Sequence, residues 1–121
     1  MSSKAEYWQR GEAIDFTNES DAKIEANQIV TFGNRVGVAG TPIEIGETGS
    51  LHVFGVFEMP KKADEEIAAG TTVYYDADAE VITTSGDNGK IDNEKVSFAL
   101  AGYATEAAAA ADTTVKVKLL G

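Results

Sequence analysis

The chain has 121 residues, of which 43% are hydrophobic and 25% charged, and a length of this order fits one domain around one hydrophobic core with no room for a separate catalytic domain. Cysteine is absent, which excludes disulfides, thiolate metal sites and cysteine nucleophiles. Twenty acidic against ten basic residues give a net charge of -10, which gains nothing from counterion release on a phosphate backbone and argues against nucleic acid as a partner.

The first ten residues, "MSSKAEYWQR", read as a flexible N-terminal arm, and residues 11–121 as one β-rich domain. The arm lacks the continuous apolar core of a signal peptide, and no apolar run approaches the length of a membrane span. The expectation is a chain kept in an aqueous compartment, with the glycosylation-like "NES" at residues 18–20 a chance match.

Beyond the arm, short runs rich in Val, Ile, Thr, Phe and Tyr alternate with turn residues, the pattern of an all-β domain. Strands are predicted near residues 13–17, 28–32, 35–39, 50–58, 72–75, 80–84, 96–103 and 114–120. The charged "PKKADEEI" at residues 60–67 reads as a loop or a single helical turn. "TEAAAAAD" at residues 105–112 has helix propensity but is too short to hold a helix without packing, so helix and loop stay open there. Asn88-Gly89 suits a type I′ hairpin turn, and Gly33, Gly37 and Gly40 read as turn glycines.

An internal repeat organises these strands. At a shift of 43 residues, Ile24, Val30 and Phe32 meet Ile67, Val73 and Tyr75, and Val38 meets Val81. The later stretch from Gly37 also resembles the one from Gly102, with one residue fewer in the second copy. Two similar β units around a shared core are expected, in a compact sandwich or barrel-like fold with at most one or two short helical turns. Aligned at their ends, Leu51 and Val53 match Val115 and Val117, so that His52 and Phe54 stand where the second copy has Lys116 and Lys118. The strand "GSLHVFGVFE" then has two apolar faces, and the one bearing His52, Phe54 and Val56 needs a cover: a loop, another subunit or a partner.

Catalytic chemistry is not assembled at the level of sequence. His52 is the single histidine and has no serine elbow around it. The glycines of "GNRVGVAG" fit neither a dinucleotide fingerprint nor a phosphate loop. Acidic clusters at Asp76, Asp78 and Glu80 and at Asp87, Asp92 and Glu94 lack the offsets of a calcium loop and read as turns. No catalytic residue, metal site or cofactor is expected.

The segments "GEAIDFTN", "GVAGTPIEIGETGSLHVFGVFEMPK", "IAAGTTVYYDADAEVITT" and "AGYATEAAAAADTTVKVKLL" together resemble the small capsid cement or decoration proteins of tailed bacteriophages over most of the chain. The departure is a longer insertion, "SGDNGKIDNEKVSF", at residues 85–98. Members of that family have also been labelled recombinases, and nothing in these residues supports the label. The resemblance implies a non-enzymatic virion protein that binds the outside of the phage head, contacts the major capsid protein and stabilises the shell as a homo-oligomer, a trimer being favoured. It would reside on the capsid surface, and in the host cytoplasm during assembly, with no nucleic-acid or membrane partner. The expected partner and oligomer contacts are Tyr7, Trp8 and Arg10 in the arm and His52, Phe54 and Val56 on the strand. The alternative is a carbohydrate or cell-surface binding module of a virion, with Tyr7, Trp8, Tyr74 and Tyr75 as a stacking platform.

Overall fold

The structure, a computed structural model, describes residues 3–120; Met1 and Ser2 of the expected arm and Gly121 of the expected domain lie outside the described residues. Residues 3–10 form no strand or helix, and all are exposed. The strands are β1 (Ala13–Thr17), β2 (Ile29–Phe32), β3 (Arg35–Ala39), β4 (Thr48–His52), β5 (Phe54–Pro60), β6 (Thr72–Asp76), β7 (Val81–Thr83), β8 (Ala99–Ala104) and β9 (Thr114–Leu120). They form one nine-stranded sheet that does not close into a barrel. One short 3-10 turn, Asp92–Glu94, is the single helical element among the described residues.

The order β1-β4-β3-β8-β6-β7 runs through the sheet, with β2 added to β3 and the β9–β5 pair added to β8. All named pairings are antiparallel except β3 with β8, which meet in parallel at Arg35 and Leu100.

The repeat is physical, and it extends further upstream than residue 24. β1 lies on β4 as β5 lies on β9: Ala13 faces His52 and Thr17 faces Thr48, while Val56 faces Lys118 and Pro60 faces Thr114. The bridge between Ile24 and Ile43 has its counterpart between Ile67 and Ala108. Asn27 and Gly70, both at positive φ, donate their backbone N–H to the carbonyls of Ala39 and Ala104. β2, β3 and β4 therefore correspond to β6, β8 and β9, and β7 with residues 84–98 is the insertion. Val81 sits in that insertion and is no counterpart of Val38.

The register corrects the alignment at the ends of the copies. Ala39 pairs with Leu51 and Ala104 with Val117, so Leu51 corresponds to Val117, His52 to Lys118 and Phe54 to Leu120. The second copy is one residue longer at this point, not shorter. The sequence comparison was displaced by two residues, and a displacement of two preserves the in-out alternation of a strand.

Two local expectations are overturned, and the choice left open at residues 105–112 is decided. The strand expected over residues 50–58 is two, β4 and β5, broken at Val53, whose N–H donates to the Glu12 carbonyl at the end of the β1–β4 register. Residues 105–112 hold no helix: Ala108 is buried in its bridge to Ile67, and the Asp112 carboxylate accepts the Ala109 N–H to close a turn. Asn88-Gly89 makes no type I′ turn, since only Gly89 has positive φ. The Asn88 side chain instead ties the insertion together, donating to the Glu94 carbonyl and accepting from Lys90 and Val96 N–H.

Two cores replace the expected shared one. The smaller consists of Ile24, Val30, Ala39, Ile43, Leu51 and Val53, with Ile14, Phe16 and Phe32 half-covered at its margin. The larger holds the second-unit counterparts Ile67, Val73, Ala104, Ala108, Val117 and Leu119, joined by Met59, Tyr75 and Ile82. Val36 and Val38 of β3 also belong to the larger core, and Ile29 of β2 packs against it. The β2–β3 pair thus turns one side to its own core and the other to the core of the second unit.

Glycine is required where equivalent strands cross closely. A Cβ on Gly37 would meet the Leu51 side chain at 2.6 Å, and a Cβ on Gly102, its counterpart, would land on the backbone carbonyl of Lys118. Gly37 is therefore a packing glycine rather than a turn residue; Gly33, at φ 58°, is a turn residue. Gly102→Ala is expected to destabilise the domain by about 3 kcal/mol or more, because backbone cannot give way as a side-chain tip does. Gly46→Ala, at φ 82° in open space, should lose about 1–2 kcal/mol from backbone strain alone. Urea denaturation of the two variants checks the difference.

Candidate functional site

Polar side chains are buried at two corresponding places. Asn18, fully buried, donates its amide to the carbonyls of Ala22 and Ile43 and accepts from the Ser20 N–H and hydroxyl. Its counterpart Lys61 is also buried and donates its ammonium to the carbonyls of Lys62, Glu65 and Ala110. Both bind loop backbone that would otherwise be unsatisfied, and every buried side-chain N and O atom among the described residues has a partner. These are structural anchors, and the reading of residues 60–67 as a charged loop or single helical turn missed one of them.

The open surface lies elsewhere. On the outer side of β5, β9 and β8, Val56, Lys118 and Tyr103 form one cross-strand row, and Phe54 pairs with Leu120 in the next. Phe54, Val56 and Leu120 are each about half exposed, at 50%, 53% and 49%. The Lys118 ammonium sits 3.8 Å from the centre of the Phe54 ring, a cation–π contact on the surface. Further along the same face the row becomes polar, with Glu58 opposite Lys116 and Lys116 paired to Glu106 at 3.2 Å. Among the described residues no loop covers the apolar end.

His52 does not join this strip. Its ring lies 6.3 Å from that of Phe57, whose side chain points to the opposite face of β5 from Phe54 and Val56. The break at Val53 and the positive φ of Gly55 separate what an unbroken strand would have aligned. Leu120, Tyr103 and Lys118 are the strip residues that sequence reasoning left out; the true register of the repeat would have found them.

Tyr7 and Trp8 stand at 84% and 87% exposure, so neither caps the chain's own core, and Arg10 beside them is exposed as well. A carbohydrate platform is not formed by the tyrosines of β6. Tyr75 is buried in the larger core, and Tyr74, next to it in the strand, points the other way. Burial, reinforced by Glu80 and then Asp76, pushes the Tyr75 phenol above its ordinary pKa and keeps it neutral. A cavity of about 370 Å³ beside it is lined by Thr31, Asp76, Asp78, Asn88 and Phe98, among others. It contains no histidine, and Asp76 is engaged in capping the turn through Asp78 and Ala79 N–H. Among the described residues no group of three or more His, Asp or Glu side chains is placed to hold a metal ion.

A family model described as phage cement protein matches residues 8–119. No curated protein and no solved structure matches the chain.

Two outcomes follow from this geometry. Phe54→Lys is expected to stay folded by circular dichroism and to change urea stability by less than about 1 kcal/mol, as at other exposed sites. A chelator is expected to leave the melting temperature essentially unchanged, since Asp76 and Asp87 close their turns by accepting backbone N–H groups; a rise on adding calcium would contradict that role.

Proposed function

The chain belongs to the phage cement protein family, and we propose that it acts on the outside of the assembled head, where it binds across major capsid subunits and holds them together. Membership of a structural capsid family accounts for a fold without an assembled catalytic group. The observation that carries the outer-surface reading is the exposed aromatic pair of the arm. Tyr7 and Trp8, with Arg10, are the residue types that dominate interface energetics, and the chain leaves them without cover of its own. An arm that orders on contact gives up chain entropy, which repetition over many copies on a shell offsets through avidity.

In this reading the arm contacts the capsid, while the strip of Phe54, Val56, Leu120 and Tyr103 is the second surface to be covered on assembly. The acidic surface keeps the free protein soluble until it meets the head.

Co-sedimentation with expanded, DNA-free heads tests the proposal. The wild-type protein should pellet with heads, and Trp8→Ala should raise the concentration needed for half-occupancy by about thirtyfold, the equivalent of 2 kcal/mol at a hot spot. Failure of the wild-type protein to pellet with heads would contradict the proposal, as would binding to a glycan array in place of heads.

A further inference from the structure

The two units pack head to tail within the chain, and the same packing is left unused at both of its ends. The first unit presents Ile29 and Val38 from its outer side, and both meet the core of the second unit. The register identifies their counterparts in the second unit as Thr72 and Tyr103, and these lie exposed beside Val56 and Lys118. That is the outgoing surface with nothing against it.

At the other end, the core of the first unit lacks the cover that the second enjoys. Phe16 and Phe32 are half-covered, whereas their counterparts Met59 and Tyr75 are buried under Val36, Val38 and the inserted Ile82. A cavity of about 340 Å³ opens there, lined by Gly11, Ile14, Phe32, Arg35 and Val53. Its counterparts in the second unit include the bulkier Phe57 and Leu119, and β3 of the first unit lies alongside. Arg35 at the rim is exposed and makes no ion pair among the described residues.

We propose that a second copy of this chain fills this cavity with its Tyr103, seating the Phe54, Val56 and Tyr103 strip of one copy on the open first-unit core of the next. The chain's own interface is the template. Val38 is buried against the second unit, and Tyr103, its counterpart, has the apolar ring to fill the larger gap and a hydroxyl to meet the Arg35 guanidinium. His52 lies against Phe57 within the chain, so its counterpart Lys118 comes to lie near Ile14 of the next copy. Because the donating and receiving surfaces differ, the contact is heterologous and is satisfied at every subunit only in a closed ring.

The inference rests on the reading of the strip as an assembly surface, and its test uses the free protein without heads, so that failure here is separate from failure to bind capsid. Tyr103→Asp removes the donor surface at an exposed position beside Lys118. Ile14→Phe fills the receiving cavity with the residue that the second unit carries at the corresponding place; Arg35→Glu at the exposed rim serves should Ile14→Phe not fold. In sedimentation velocity the wild-type protein is expected as a closed oligomer, and each variant alone as a folded monomer. An equimolar mixture of Tyr103→Asp with Ile14→Phe is expected to give a heterodimer and nothing larger, since one intact donor faces one intact cavity. Three results would overturn the proposal: a monomeric wild-type protein, a Tyr103→Asp variant that keeps the wild-type size, or a mixture of the two monomeric variants that stays monomeric.

Discussion

Val36 and Val38 give β3 a second apolar side, and the structure depends on where that side is buried. With Ile29 they enter the core of the second unit, so that a sheet of the first unit roofs the hydrophobic cluster of the next. A half-exposed antiparallel sheet would normally be polar on that side. Here the duplication supplies the cover from within the chain, and the parallel contact of Arg35 with Leu100 joins the two units into one sheet. The difference in burial between the copies follows from this packing. The second unit has a closed core and an open outer face; the first has a covered outer face and an open core.

The loops that join the strands obey a second constraint, the satisfaction of buried backbone. In both units the position just after the first strand carries a long or branched polar side chain that reaches into loop carbonyls, an amide in Asn18 and an ammonium in Lys61. The chemistry differs while the geometry is kept: each donates to the carbonyl four residues on, Ala22 or Glu65. Removing such a donor leaves acceptors unpaired in a dry site, a cost of about 1–3 kcal/mol per group. Conversely, hydrogen-bonded turns such as that of Asp76 need no bound ion to hold their shape.

Strand content and the existence of two units were legible in the sequence because both rest on short-range alternation. β1, β3 and β9 fall where the residue pattern places them, at Ala13–Thr17, Arg35–Ala39 and Thr114–Leu120. What escaped were features decided by long-range geometry. The comparison of strand ends slipped by two residues, which keeps the in-out alternation and so leaves no mark in a hydrophobic pattern. The break at Val53 was hidden in an apolar run, and it moved His52 away from Phe54. The alanines of residues 105–112 carry helix propensity, yet Ala108 is held in a bridge where Ile43 stands in the first unit. Of the candidate site, Tyr7, Trp8, Phe54 and Val56 were recognisable as apolar residues with nowhere to go. The cavity by Ile14 and Arg35 was not, since a missing cover has no residue of its own.

The account assigns two surfaces to two events: the strip closes when copies assemble, and the arm closes when the assembly meets the head. Hydroxyl-radical footprinting, applied to the free oligomer and to decorated heads, separates the events on single side chains. The account predicts that Tyr103 and Phe54 are already protected in the free oligomer at working concentration, that Tyr7 and Trp8 react freely there and become protected on heads, and that exposed Ile91 in the insertion reacts in both. Protection of Tyr103 and Phe54 only on heads, with the arm reactive throughout, would contradict it.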